Sequence, residues 1–267
     1  MTENREVIIE VKDLKKVYRI GTEKVVALNS VDLKIFRGEI CCILGTSGSG
    51  KSTLLNMMAG LEKPTRGQIL IKGEAIEKMS ERHLANFRQR HIGFIFQSYN
   101  LLAALTAQEN VALPLIFRGV PKIRRERLAQ KYLKMVGLGD RSKHKPTQMS
   151  GGQQQRVGIA RAFVGAPEII FADEPTGNLD TKTSTEVMNI MWKMSREKEQ
   201  TIVIVTHDPE IAVYADKVIH IRDGLIQSIE VIEDNDVYEK RILPFETEKA
   251  SDETEKASDN IQEGGIQ

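Results

Sequence analysis

The stretch GTSGSGKS, residues 45–52, constrains the chain more than any other segment. It follows EICCIL, a short continuously apolar run of strand length, and it precedes a helical pattern over Lys51–Gly60. A strand that breaks into glycines and then into a helix satisfies GxxxxGK[ST] in its required context. Gly45, Gly48 and Gly50 let the backbone wrap closely around an anion without Cβ clashes. The N–H groups of the loop, with the N-terminus of the following helix, make an anion cradle. Thr46, Ser47, Ser49 and Thr53 are therefore candidate contacts beside the glycines. Lys51 supplies a point charge for β- and γ-phosphates, and the Ser52 hydroxyl is a candidate Mg2+ ligand. A glycine-rich turn without a ligand is the plain alternative, and the strand–loop–helix context counts against it.

The remainder of the chain alternates strand and helix patterns. PEIIFAD and TIVIV hold continuously apolar runs, the mark of strands covered on both faces of a parallel sheet. VIIEVKDL, KVYRI and VDLKIF read as strands near the N-terminus, and helical patterns occupy Thr181–Glu197 and Asp208–Ala215. KVIHIRDGLIQSIE is two alternating segments around Asp223-Gly224, a hairpin signal. Between Tyr99 and Val164 the pattern is mostly helical, which predicts a helical insertion in an α/β core.

Two further segments carry chemistry. PEIIFADEP ends a buried strand in two carboxylates, at the end of a parallel strand where ligands bind. Asp173 is a candidate Mg2+ ligand, directly or through water, and Glu174 a candidate base for an attacking water. MSGGQQQR, residues 149–156, opens another helix with Ser-Gly-Gly and so offers a second set of free N–H groups. A second cradle in the same chain suggests a second phosphate contact, one that can serve a partner subunit; a Ser-capped helix is the alternative.

Composition removes competing classes. The 267 residues allow one large or two small domains at roughly 150 residues each. A net charge of +1 argues against a phosphate-backbone binder, so no nucleic-acid partner is expected. No run approaches the ~20 apolar residues of a membrane span, and the N-terminus lacks a basic start followed by an apolar core. Cys41 and Cys42 are adjacent, which fits neither a zinc site nor a CxxC redox pair, and points to packing residues in a reducing compartment. From Glu246 to Gln267 seven acids face two lysines, a charge of −5, and ETEKASD at 246–252 recurs at 253–259. This reads as a disordered acidic tail at 246–267, with a folded domain at 1–245 whose helical part spans about 99–165.

These motifs together resemble the nucleotide-binding domain of ABC-type ATPases over roughly residues 6–230. Besides GTSGSGKS and FADEP, the resemblance rests on MSGGQ, FIFQSYN, TGNLD and the THD that follows TIVIV. It departs mildly at Met149, where Leu is usual, and at Thr46, where Pro is common. The resemblance implies an α/β fold: a P-loop NTPase core with a mainly parallel sheet, an N-terminal antiparallel β subdomain and a helical insertion. It implies an ATPase that uses ATP and Mg2+. It further implies that Tyr18 stacks on adenine, a strand tyrosine in the core being the alternative, and that Gln97 reaches the metal and the attacking water. Ser150, Gly151, Gly152 and Gln153 would contact the γ-phosphate of ATP held by a second copy. Asp180 would cross the dimer interface, with helix capping as an alternative or additional role, and His207 would contact the γ-phosphate. The implied partners are a second copy in an ATP-dependent head-to-tail dimer and a separate membrane permease, which places the chain on the cytoplasmic face of the membrane.

Within the family, VYRIGTEKVVALNSVDL, FIFQSYNLLAALTAQENVALPLIFRGV and DEPTGNLD resemble the macrolide-exporter and lipoprotein-release branch. That branch implies export or mechanotransmission through the permease, with a periplasmic-adaptor-like protein as a further partner. A non-transport ABC ATPase of cell division, repair or translation is the alternative. Tyr99–Leu105 is the expected permease-docking segment, or else part of the insertion core. KIRRER at 122–127 is a solvated helix face or a neighbour of lipid headgroups.

Overall fold

The computed structural model describes residues 5–232. The expected domain end at 245 and the acidic repeat lie outside the described residues.

Two sheets organise the fold. The first is antiparallel, in the order β2-β1-β4-β5, from β1 (Val7–Ile20), β2 (Glu23–Phe36), β4 (Arg66–Ile71) and β5 (Glu74–Ala75). The segments VIIEVKDL and KVYRI form one 14-residue strand rather than two. Asp13, at φ 46°, takes up the irregularity between them as the register with β2 shifts between Val11 and Leu14.

The second sheet runs β10-β9-β3-β8-β7-β6. Its strands are β3 (Ile40–Leu44), β6 (Ile92–Phe96), β7 (Ile169–Asp173), β8 (Thr201–Thr206), β9 (Lys217–Arg222) and β10 (Leu225–Val231). All pairings are parallel except β9 with β10, the hairpin around Asp223-Gly224. β8 is buried throughout, and β3 and β7 are buried up to their last residues, as their unbroken apolar runs require. Cys41 and Cys42 are both fully buried in β3, and burial pushes the Cys42 thiol up to about 12. They are packing residues with no accessible thiolate.

The helices are α1 (Lys51–Met58), α2 (Glu81–His91), α3 (Ala107–Phe117), α4 (Lys122–Met135), α5 (Gly151–Val164) and α6 (Thr181–Lys198). α3, α4 and α5 fill the stretch read as a helical insertion and pack on one another. α3 begins at a capping box, with the Thr106 hydroxyl accepting from the Glu109 N–H and the Glu109 carboxylate accepting from the Thr106 N–H. The expected helix at Asp208–Ala215 is only a short 3-10 stretch, Pro209–Tyr214. Pro209 starts it, and six residues bury too little to hold a regular helix.

Candidate functional site

Strand register brings the site together. Phe96 lies opposite Asp173, Asp173 opposite Val205, and Leu44 opposite Thr206. The C-terminal ends of β6, β7, β8 and β3 therefore finish level, and the next residues in sequence are Gln97, Glu174, His207 and Gly45. Segments some 160 residues apart thus line one cavity of about 1380 Å³. Its walls include Gly45–Gly48, Gly50–Thr53, Gln97, Asp173, Glu174 and His207.

The loop is preformed. Gly50 caps α1 at φ 101°, where a Cβ would lie 2.5 Å from the Ala27 carbonyl oxygen. The side chain of Lys51 is buried, and its Nζ donates to the Thr46 carbonyl at 2.7 Å. A buried ammonium at the N-terminus of α1 makes the cavity floor attractive to a polyphosphate. Ser49 is buried and is not among the residues lining the cavity, and its carbonyl accepts from the Gly224 N–H at 3.0 Å. The Gly224 carbonyl in turn accepts from the Asn29 N–H at 2.9 Å.

Opposite the loop stand the acids. Ser52 Oγ donates to Asp173 Oδ1 at 3.2 Å, so two of the three candidate metal ligands already touch. Burial raises the Asp173 pKa from its ordinary value, with the Ser52 bond opposing the effect and the neighbouring Glu174 charge adding to it. Glu174 adopts φ 47° and donates its N–H to the Val205 carbonyl at 2.9 Å. A non-glycine residue held in that region at the end of a buried strand carries backbone strain that its neighbours enforce. His207 Nδ1 lies 2.9 Å from the Glu174 carboxylate. Gln97 is fixed at its carbonyl by Asn178 Nδ2, at 3.0 Å.

The Ser150–Gln153 segment lies elsewhere. Ser150 caps α5 in a capping box with Gln153, as a Ser-capped helix should. Ser150, Gly151, Gly152 and Gln153 line a separate cavity of about 490 Å³ with Asp180, and no residue is common to this cavity and the larger one. Asp180 caps α6, its carboxylate accepting from the N–H and the hydroxyl of Thr183 at 3.0 and 2.7 Å. The two regions are mechanically joined: Gln155 of α5 is fully buried and its Nε2 donates to the Pro175 carbonyl at 2.6 Å, just after Glu174. Arg161 of α5 donates to the Tyr99 carbonyl at 2.8 Å, two residues after Gln97.

Tyr18 is not among the residues lining the larger cavity; its hydroxyl donates to Glu62 at 2.7 Å. Val25, opposite Tyr18 on β2, lines the cavity with Val26 instead. The hairpin residues Arg222, Asp223 and Gln227 also line it. The sequence marked Asp223-Gly224 as a turn, and nothing local signals that this turn docks against a loop 175 residues earlier.

The expected docking segment, Tyr99–Leu105, is held from inside. Buried Asn110 accepts from the Leu102 N–H at 2.8 Å and donates to the carbonyls of Leu102, Leu105 and Thr106. The exposed apolar surface nearby is a groove of about 640 Å³ between α2, β6 and α3, with Phe94, Phe96, Pro114 and Phe117 in its walls. Phe117 is 71% exposed.

A parallel sheet whose strand ends present a preformed phosphate loop, a Ser–Asp pair and a Glu–His pair defines a nucleoside-triphosphate hydrolase. Residues 28–177 match the sequence profile described as ABC transporter. An ABC transporter ATP-binding protein of Thermotoga maritima is 52% identical over 84% of this chain and 95% of its own length. The macrolide export ATP-binding/permease protein MacB of Wolinella succinogenes is 45% identical over 82% of this chain, which spans only 34% of that longer protein. The dimeric structure of the bacterial ABC transporter cassette MJ0796 superposes with a TM-score of 0.80 at 43% identity, covering 85% of this chain and 99% of that one. A second structure of MJ0796, described as a post-hydrolysis dimer bound to ADP and Pi, gives 0.79 at 42%. The chain belongs to the ABC transporter family and is an ATP-binding, ATP-hydrolysing subunit of that type. Among the described residues no helix is long and apolar enough to cross a membrane.

Proposed function

We propose that this chain drives export, or mechanical work on a membrane complex, through a separate permease at the cytoplasmic face of the membrane. It acts as an ATP-dependent head-to-tail dimer. One observation carries the dimer: the phosphate-loop cavity and the Ser150–Gln153 cavity share no residue, so one chain's signature helix does not complete that chain's own phosphate site. A second copy, rotated to face the first, brings Ser150–Gln153 and Asp180 over the other loop. The family relatives described as dimeric cassettes support this reading. The relative that joins ATP-binding and permease functions under one name supports a membrane partner and the export direction. The macrolide-type efflux or lipoprotein-release role, with a periplasmic-adaptor-like protein, belongs to the same proposal.

The chain's own groups then have the following duties. Gly45–Thr53 and Lys51 hold the phosphates, and Val25 and Val26 offer apolar contact near the base, with Tyr18 reaching it after releasing Glu62. Ser52, Asp173 and Gln97 fit a Mg2+ ion: a hydroxyl, one carboxylate and an amide suit a cation that completes its shell with substrate phosphates and water. The ion would neutralise charge on the transferring phosphoryl group. Glu174 takes a proton from the attacking water. With Nδ1 bonded to Glu174, the nitrogen that His207 has left for the γ-phosphate is Nε2, which carries a proton for that contact when the ring is imidazolium. Release of phosphate removes the group shared by the two chains, and the dimer opens.

Glu174→Gln keeps the shape and removes the base. The variant should bind ATP, lose hydrolysis by ~10²–10⁴-fold and accumulate as a dimer in Mg-ATP by size-exclusion chromatography. That same trapped form, drawn from detergent-solubilised membranes, should bring down a polytopic membrane protein. Recovery with ribosomal or DNA-bound complexes alone would place the chain among non-transport ATPases.

A further inference from the structure

Helix α4 carries a surface that the ATPase reading does not use. Its exposed positions include Ile123, Arg124, Arg127, Lys131 and Lys134. At 100° per residue these five fall within an arc of about 100°, so they form one stripe along the helix. The opposite side is the packed one, with Ala129, Tyr132 and Leu133 buried. No acid falls on the stripe. Glu126, the acid within α4, lies off it and sits 3.8 Å from Lys122. Ordinary solvated helix faces mix the two signs of charge. Ile123 adds a second anomaly: at 84% it is the most exposed large apolar side chain among the described residues.

The imbalance extends beyond one helix. Residues 99–165 contain twelve Lys and Arg against three acids, a net +9, so the other residues of this +1 chain carry −8. Not all of that charge is available. Arg118 is spent on the carbonyls of Gln89, Arg90 and Gly165, and Arg161 on those of Tyr99 and Asn100. The α4 stripe is the part turned outward. It begins six residues after Phe117, which lines the apolar groove beside α3.

We infer that the outward face of α4 rests on the anionic surface of the membrane, with Arg124, Arg127, Lys131 and Lys134 against lipid headgroups and Ile123 inserted between them. The inference rests on the transporter reading and takes the groove beside Phe117, close to the expected docking segment, as the permease's seat, which turns this side of the chain toward the bilayer. A stripe of one sign with an apolar residue at its end suits an interface that is negative outside and apolar beneath. The contact would hold the helical part of the subunit level while the dimer opens and closes.

The test uses the full chain and no permease, so its failure leaves the transporter reading standing. Partition onto sedimenting vesicles of phosphatidylglycerol mixed with phosphatidylcholine is compared with partition onto pure phosphatidylcholine, at low and at physiological salt. Each basic residue at such a surface is worth roughly fivefold in partition. The pair Arg124→Glu with Arg127→Glu should therefore lower binding to the anionic vesicles by about 25-fold or more. Ile123→Ser should lower it several-fold while leaving its salt dependence unchanged, which separates insertion from charge. Basal ATPase activity and melting temperature should stay at wild-type values in both. Equal partition onto the two vesicle types, or an unchanged partition in the double variant, would overturn the inference. So would competition by a duplex oligonucleotide at physiological salt with no effect of Ile123→Ser, since the stripe would then be a site for nucleic acid.

Discussion

At the scale of single residues, Asp173 is held in a costly state. It ends the buried strand β7, and burial raises its pKa while the adjacent Glu174 charge adds to the effect. A carboxyl whose folded pKa lies above its unfolded value is ionised first in the unfolded chain. Its ionisation therefore removes stability as pH rises from the unfolded pKa through the folded one, and the loss is complete above the folded pKa. Asp173→Asn retains an acceptor for the Ser52 hydroxyl and removes the charge. In nucleotide-free protein at pH 7.5 the variant should melt at or above the wild-type temperature, while Mg-dependent hydrolysis is lost. The stability gain should shrink as pH falls into the carboxylate range. A variant that melts clearly below wild type at pH 7.5 would show that the carboxylate stabilises the site. Such a trade, in which a functional group is maintained against folding stability, is expected where a metal and phosphates later supply the compensating charge.

At the scale of elements, the hairpin β9–β10 acts as a brace behind the phosphate loop. Its turn places Asp223 at φ 50° and Gly224 at φ 73°, and a Cβ on Gly224 would lie 2.7 Å from the Ala27 carbonyl oxygen. The same turn bonds to Ser49 on one side and to Asn29 on the other. Gly224→Ala must shift the turn and with it the carbonyl anchor of the loop. ATP affinity should fall by about tenfold, the equivalent of ~1.4 kcal/mol, with a melting temperature lower by a few degrees. Asp223→Gly, which keeps the turn and both backbone bonds, should bind ATP as wild type. An unchanged ATP affinity in folded Gly224→Ala would remove the brace from the site. The contrast between this hairpin and the rest of the site explains what the sequence disclosed. Gly45–Ser52, Asp173, Glu174 and His207 were legible because each sits at the end of an apolar strand, and level strand ends bring their successors together. The parallel order of the sheet and the helices α3–α5 followed from the same periodicities. The docking of Gly224 on Ser49 was not legible, because turn chemistry fixes a conformation and says nothing of which distant backbone it meets. The placement of Asn110 beneath Leu102 was hidden for the same reason: a buried amide inside a helix carries no periodic signal.

At the scale of the molecule, the proposed head-to-tail dimer would assemble each working site from the two separate cavities of facing copies. Internal links make this assembly responsive, since Gln155 ties the signature helix to the backbone after Glu174 and Arg161 ties it to the backbone after Gln97. In the proposed dimer, a shift of α5 on meeting the partner's nucleotide would be passed to the backbone beside Glu174 and Gln97. Mixing two inactive variants tests the composite arrangement. Lys51→Ala should abolish productive ATP binding in its own chain and keep a sound Ser150–Gln153 segment. Ser150→Arg keeps its phosphate loop and sets bulk and charge where the partner's γ-phosphate must approach. Each alone should be inactive as a homodimer. The mixed dimer holds one intact composite site and one that carries both defects. ATPase activity should therefore return on mixing if one site is sufficient, and stay absent if the sites must fire together, while pull-down of a tagged chain records ATP-dependent mixed dimers in either case. Full activity of Ser150→Arg as a monomer would sink the head-to-tail arrangement, because the signature helix would then have no duty across an interface.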